Sequence, residues 1–352
     1  MKKNRLSKKP IYKYSLFLPI VCLLLVLVTN FIQTPTFFNI TIQNGVFYGY
    51  IIDILNRSSG LIILSVGMTL VVASSGGTDI SVGAVSAFAG AVCVAALGTG
   101  ASYNMPYVLS LLLALLVGAA CGVINGYLVS YMKVQPMVAT LILFTAGRGI
   151  AQLVTGSFIL YVKPQQFAYL GNFIPGVPMP TPFFIAIFVV IITWFILQKT
   201  ALGMYIQSVG INRKASHLMG LNSKRIIFLT YIFCGICAAV AGLISVSRTM
   251  SIDANNVGLY TELDAILAVA IGGNSLGGGK FSLMGSVIGA ITIQALTTTL
   301  YAMRVSADQL PLYKAVVVII IVSLQSPVLI KWFNEVKGKI AFGQNKAIKE
   351  AK

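Results

Sequence analysis

Glu262 and Asp264 stand two residues apart and are the first pair to weigh for chemistry. Acid–base catalysis needs its two carboxylates aimed at one reacting centre. Residues two apart on a helix point to different faces, and no histidine, metal cluster or nucleophile elbow accompanies them. They close the segment Asp253 to Asp264 (DANNVGLYTELD), which gathers three carboxylates and the amides Asn255 and Asn256 beside an apolar run. An orienting or gating role beside a pathway suits this set better than catalysis. A polar surface loop is the plain alternative.

Asp79 follows Gly76-Gly77-Thr78 and precedes Ile80-Ser81-Val82-Gly83, between two apolar runs. An ionisable group there is costly unless it faces protein or water. It suits a pathway, and it equally suits an N-cap of the following helix; the two roles are compatible. Gly272 to Ser282 (GGNSLGGGKFS) narrowly misses a phosphate-binding loop. The pattern requires G-x4-G-K-[ST], but Phe281 follows Lys280 and Asn274 occupies the first glycine position. ATP binding by this chain is therefore rejected. Cys234-x-x-Cys237 mimics a redox motif but lies mid-span with no βαβ context, so packing explains it. One histidine, His217, and five cysteines scattered in apolar runs build no metal site.

The elements that carry these residues are set by composition. Apolar residues make up 57% of the 352 and charged residues 9%, against about 25% charged in a soluble domain. So few charges cannot cover a soluble surface, and the chain reads as an all-α polytopic membrane protein. The net charge of +17 suggests nucleic acid until it is located. Six Lys/Arg lie in residues 1–13, five in 199–225 and six from Lys331 to Lys352. Clusters flanking apolar spans follow the positive-inside rule, so cytoplasmic orientation and membrane lipid account for the charge and nucleic acid does not.

Ten spans are expected, near 15–33, 59–76, 80–98, 106–131, 136–156, 182–198, 225–247, 262–273, 282–303 and 310–330. They form one transmembrane domain, 15–330, between a basic N-terminus (1–14) and a basic tail (331–352). Both termini are then cytoplasmic, with Lys133, 199–225 and Lys280 inside, and Arg57, Lys163, Arg248 and Arg304 outside. The first apolar run is expected to be an uncleaved helix rather than a signal peptide. Residues 37–57 are too polar to span and are expected to form an interfacial helix. The Pro- and Gly-rich 157–181 is expected to be an external loop.

Several spans are broken. Residues 262–273 supply about 12 residues where about 20 cross a bilayer. Gly272-Gly273-Asn274 ends that run, and Gly76-Gly77-Thr78-Asp79 interrupts the early one. Irregular backbone at membrane depth persists only when it is buried in protein or lines a cavity, and paired breaks in two halves point to a translocation pathway. The candidate pathway residues are therefore Gly76, Gly77, Thr78, Asp79, Asn255, Asn256, Asp264, Gly272, Gly273 and Asn274. In the loop 199–225, a short helix from Arg213 to Met219 is bracketed by Gly210 and Gly220, as a docking element along the membrane face requires. Its candidate contacts are Gly210, Asn212, Arg213, Lys214, Ala215 and Gly220.

The chain resembles the permease subunits of bacterial ABC importers for monosaccharides, the ribose/xylose/galactoside group. The resemblance covers about 15–330 and rests on GGTDISVGA (76–84), VATLILFTAGRGIAQL (138–153), KTALGMYIQSVGINRKAS (199–216), IDANN (252–256), ELDAILAVAIGGNSLGGG (262–279) and KAVVVIIIV (314–322). PMVATLILFTAGRGIAQL and DANNVGLYTELDAILAVAIGG favour the galactofuranose permeases. Thr78-Asp79-Ile80-Ser81 stands where the group commonly has Ile-Asp-Leu-Ser, and Ala215-Ser216 where it has Ala-Ala; neither change touches the glycines or Asp79.

The resemblance implies a transport subunit of the inner membrane that is not an enzyme and holds no cofactor. ATP is bound by a cytoplasmic ATPase docked on 199–225. A second permease chain, identical or paralogous, completes the pore, and an external binding protein delivers the monosaccharide. The alternatives are an ion-coupled secondary transporter, in which Asp79 and Asp264 hold the ion, and an ABC permease for branched-chain amino acids.

Overall fold

A computed structural model describes residues 16–33, 35–43, 45–306 and 308–325. The basic ends, 1–14 and 331–352, and the last residues of the expected final span lie outside them. Twelve α-helices run through the described residues: α1 Phe17–Gln33, α2 Tyr50–Ser75, α3 Val82–Leu97, α4 Tyr107–Ser130, α5 Pro136–Thr155, α6 Thr181–Lys199, α7 Leu202–Ile211, α8 Arg213–Leu218, α9 Ser223–Thr249, α10 Thr261–Ile271, α11 Leu283–Ala302 and α12 Leu310–Gln325. The ten expected spans fall on α1–α6 and α9–α12. Six helices (α2, α4, α5, α6, α9 and α11) are long and apolar enough to cross a membrane by length and composition. Residues up to Thr299 form one compact unit, and those from Leu300 a second.

Within the first unit α2 is central: 94% of its most apolar window is buried, against 22% for α6. α2, α3 and α4 pack on α9, and glycines let the backbones meet. Gly118, Gly122 and Gly126 form a four-residue ladder along α4. A Cβ at Gly118 would lie 2.6 Å from Ala239 Cβ, and one at Gly122 2.7 Å from Ile232 Cα. In lipid, where apolar surface gains little by leaving the solvent, small residues at this spacing are what let helices associate closely.

The segment 37–57 is not an interfacial helix. Strands β1 (Thr41–Gln43) and β2 (Val46–Tyr48) pair antiparallel, with Ile42 opposite Phe47. Asn44-Gly45 is a hairpin-turn dipeptide between β-prone triplets, and Gly45 has the left-handed φ of 77° that such a turn needs. From Tyr50 onward the chain is already α2. Asp53 and Arg57, whose charges argue against a span, instead pair one helical turn apart, Arg57 Nε to Asp53 Oδ1 at 2.7 Å.

One end of the bundle collects this hairpin and two loops. Phe47 N–H donates to the Pro178 carbonyl (3.1 Å). β3 (Leu160–Tyr161) pairs with β4 (Ser251–Ile252). Arg248 Nη2 donates to the Asn56 carbonyl (2.9 Å). The other end carries Lys133, α7, α8 and the glycine-rich 272–279.

Candidate functional site

The two breaks meet. Gly76 closes α2 in the left-handed conformation, φ 66°, and its N–H returns to the Val72 carbonyl. Gly278, φ 89°, lies against it; a Cβ there would be 2.9 Å from Gly76 Cα. Gly279 N–H donates to the Ala73 carbonyl at 2.9 Å, and Arg213 Nη2 donates to the Ser75 carbonyl. A helix leaves its last carbonyls without intrahelical donors and its C-terminus partly negative. A loop N–H and a guanidinium from the next layer supply both needs at α2.

Each break is held by one short polar side chain turned inward. Asp79 is 2% exposed. Its Oδ1 accepts from Ser81 N–H (2.9 Å) and Ser81 Oγ (2.6 Å), and Ser81 Oγ accepts from Asn125 Nδ2 of α4 (2.8 Å). Asn274 Oδ1 accepts from Ser282 N–H, while its Nδ2 donates to Ser286 Oγ (2.8 Å), which also receives Thr69 Oγ1 of α2 (2.6 Å). Both therefore bind the N–H of the residue just before the following helix; the N-cap position of α3 is Ser81, not Asp79 as the sequence allows, and Asp79 instead fixes that residue from two positions upstream. Gly77 faces Pro136, whose Cβ would lie 2.6 Å from a Cβ there, and Thr78 is buried. Gly272 packs on Gly285 of α11, and Gly273, φ 78°, is exposed.

Asp79→Asn keeps the accepting Oδ1 and is expected to preserve fold and assembly while reducing uptake. Asp79→Ala strands two buried donors, costing about 1–3 kcal/mol for each, and is expected to lower the unfolding temperature. Thermal unfolding and uptake, measured together on both variants, check this. Normal uptake by Asp79→Asn would leave the residue a structural support of Ser81 alone.

Asn255, Asn256 and Asp264 lie elsewhere. From Ile252 to Gly258 the chain runs without helix alongside α3. A Cβ at Gly90 would meet Ile252 Cδ1 at 3.6 Å, and one at Gly83 would strike the Gly258 carbonyl and Glu262 Oε2. On the other side stands Arg148 of α5. Its Nη1 donates to the carbonyls of Ala254 (2.9 Å), Asn255 (2.7 Å) and Val257 (3.3 Å). Gln152, one turn on, donates to Asn255 Oδ1. Arg148 is the thirteenth residue of α5, about 18 Å along a helix of about 30 Å. Asn255 and Asn256 are nonetheless exposed. Polar, irregular, open backbone at the middle turns of two apolar helices marks a surface that water or another chain must cover.

Arg148 Nε, Arg148 Nη2 and Glu262 Oε2 are buried atoms with no hydrogen-bond partner among the described residues. Sequence reasoning did not single out Arg148 or Gln152. The available signal was a cation inside an apolar span.

The residues expected from the sequence to meet the ATPase are distributed along two helices. Gly210 lies within α7, not in a loop before the short helix; a Cβ there would overlap the Ala73 carbonyl oxygen and lie 2.6 Å from Gly279 N. Asn212 caps α8 through Ala215 N–H (3.0 Å). Lys214 is exposed, and Gly220 turns the chain at φ 82°.

A family described as the branched-chain amino acid transport system, permease component, matches residues 50–324. The chain belongs to this family. The permease is 44% identical over 322 residues to the galactofuranose transporter permease protein of Escherichia coli K12, covering 91% of this chain and 92% of that one. It is 42% identical over 291 residues to the fructose import permease protein FruF of Bifidobacterium longum, covering 81% and 80%. It is 35% identical over 306 residues to the ribose import permease protein of E. coli K12, covering 86% and 91%. No solved structure matches the permease. The relatives are sugar import permeases, as the resemblance in the sequence implies, and the permease is a multi-pass membrane protein.

Proposed function

We propose that this permease is the membrane-spanning subunit of an ATP-driven importer for a monosaccharide of the galactofuranose class. One observation carries the reading: the open, polar segment 253–257 beside Arg148 and Gln152, at mid-helix depth. A second permease chain laid over this face would enclose a path lined by amide, guanidinium and backbone groups. Such a lining suits a ligand that offers hydroxyl groups and no charge. The pairing with sugar rests on the names of the relatives.

The cytoplasmic ATPase docks on α7 and α8. Leu218 is 87% and Met219 82% exposed, an apolar pair at the membrane surface of the kind that an interface covers. Both termini and this end of the bundle then face the cytoplasm, and the external binding protein meets the opposite end. Alternating access is a switch between two packings whose relative stability these partners bias. The helices α7 and α8 reach the broken end of α2 through Gly210 and Arg213, so docking acts directly on the break.

Vesicles holding the assembled complex test this. ATP without an ion gradient is expected to drive uptake of labelled galactofuranose, unaffected by a protonophore, with leucine no competitor. Uptake driven by an ion gradient without ATP would overturn the reading, and leucine transport would move the substrate to amino acids.

A further inference from the structure

Beside the docking helices lies a cleft of about 700 Å³ between the end of α4, the turn after it, α8 and the start of α9. Lys133, Arg213, Lys214, His217 and Lys224 line it, and no carboxylate does. None of the five forms an ion pair with a described acid. The four Lys and Arg charges repel one another across the cleft, and an anion held there relieves that repulsion. The remaining polar groups are of the right kind. Ser130 and Ser223 bring hydroxyls. The 27-residue α9 begins here behind its Asn222 cap, which takes Arg225 N–H (3.1 Å), so the positive end of its dipole opens on the cleft.

Position selects among anions. Tyr127 on the last turn of α4 stacks at 5.5 Å on Tyr131, the residue that follows the helix, and Lys224 Nζ lies 5.8 Å from the Tyr131 ring centre. Both rings are exposed. Amphipathic rings at the end of a spanning helix sit at headgroup level, and basic pockets between spanning helices on the cytoplasmic side take anionic headgroups. Leu218 and Met219 do not line the cleft, whereas Arg213, Lys214 and Gly220 do, so the basic cleft adjoins the apolar docking pair and shares those three residues with the docking surface.

We infer that this cleft binds the phosphate headgroup of an anionic membrane lipid and so braces α8 against α4 and α9. The inference rests on the proposal that this end of the bundle lies at the cytoplasmic leaflet. Its test needs neither ATPase nor sugar, so its failure leaves the transport reading standing.

The full-length chain is placed in phosphatidylcholine nanodiscs with and without fluorescent phosphatidylglycerol. Lys133→Gln/Lys214→Gln/Lys224→Gln is expected to weaken retention of the labelled lipid roughly tenfold. Lys199→Gln/Lys280→Gln, on the same end, is expected to leave it unchanged. Equal losses in both variants would reduce the effect to general surface charge and overturn the site. Millimolar inorganic phosphate is expected not to displace the lipid; displacement would assign the cleft to a soluble phosphate instead. A photoactivatable phosphatidylglycerol gives a second readout on the unaltered chain. Label is expected on 127–133 and 213–224, and label spread evenly over the basic loops would overturn the assignment.

Discussion

Uptake is expected to fall by tenfold or more when Gly210 becomes alanine, with the chain still inserted and ATP hydrolysis by the docked ATPase continuing. The added methyl would overlap the Ala73 carbonyl oxygen and lie 2.6 Å from Gly279 N. Both atoms are backbone, so no side chain can swing aside. α7 has to lift from the end of α2, which breaks the approach of Gly279 N–H to Ala73 and of Arg213 to Ser75. Overpacking of this kind costs roughly 1–3 kcal/mol, enough to change the balance between two packings about fivefold to a hundredfold. The effect falls on the element that joins the helices proposed to dock the ATPase to the break, so coupling is expected to suffer before folding does. Gly220→Ala is the comparison. Its φ of 82° disfavours alanine, but nothing lies within 4 Å, so roughly 1 kcal/mol of local strain is expected and a small loss of uptake. Hydrolysis and uptake measured together in vesicles at matched permease content decide it. Normal coupling in Gly210→Ala would mean that α7 moves freely on α2.

The spans were legible because run length and hydropathy are local properties. The ten apolar runs land on ten helices, and the short run at 262–273 does end at the glycines as α10. Local hydropathy misplaced the start of α2, because Asp53 and Arg57 satisfy each other at i,i+4 and so ride on a helix that their separate charges argue against. It also turned a hairpin into a helix at 41–48, where Asn44-Gly45 carried more information than the aromatic content did. The glycine ladder of α4 escaped notice because glycine in an apolar run reads as one more small residue; its meaning lies in Tyr231, Gly235 and Ala239, more than a hundred positions away.

The site was legible in part for the same reason. Asp79 and Ser81 lie two apart, and an aspartate two residues before its partner N–H is a short-range motif, so a local backbone contact was readable, although the N-cap itself is Ser81. That Gly76 touches Gly278 follows from the packing of α10 and α2, which one sequence does not encode locally. The depth of Asn255 and Asn256 is set by the helices they run beside. For the same reason a polar surface loop and a pathway segment looked alike on paper.

Arg148→Met is expected to lower uptake by roughly a hundredfold, close to 3 kcal/mol in transport free energy. Three carbonyls, of Ala254, Asn255 and Val257, depend on one guanidinium nitrogen 106 to 109 positions away. Methionine fills much of the volume and donates nothing; the exposed Asn255 carbonyl can turn to water, but the part-buried carbonyls of Ala254 and Val257 each lose a donor at a cost of up to about 1–3 kcal/mol. The segment 254–257 then has to move to find donors, and the surface that it shapes moves with it. Arg148→Lys separates two roles. An ammonium can still donate to the carbonyls and hold the segment, but it removes the buried Nε and Nη2 donors that have no hydrogen-bond partner among the described residues. If those donors meet the sugar, the lysine variant keeps stability and loses uptake. If they only stiffen the segment, lysine restores both. Gln152→Leu, which loses a single contact to Asn255, is expected to cost only a fewfold. Near-normal uptake by Arg148→Met, at normal membrane levels, would take the path away from this face and require another surface of the permease to carry the sugar.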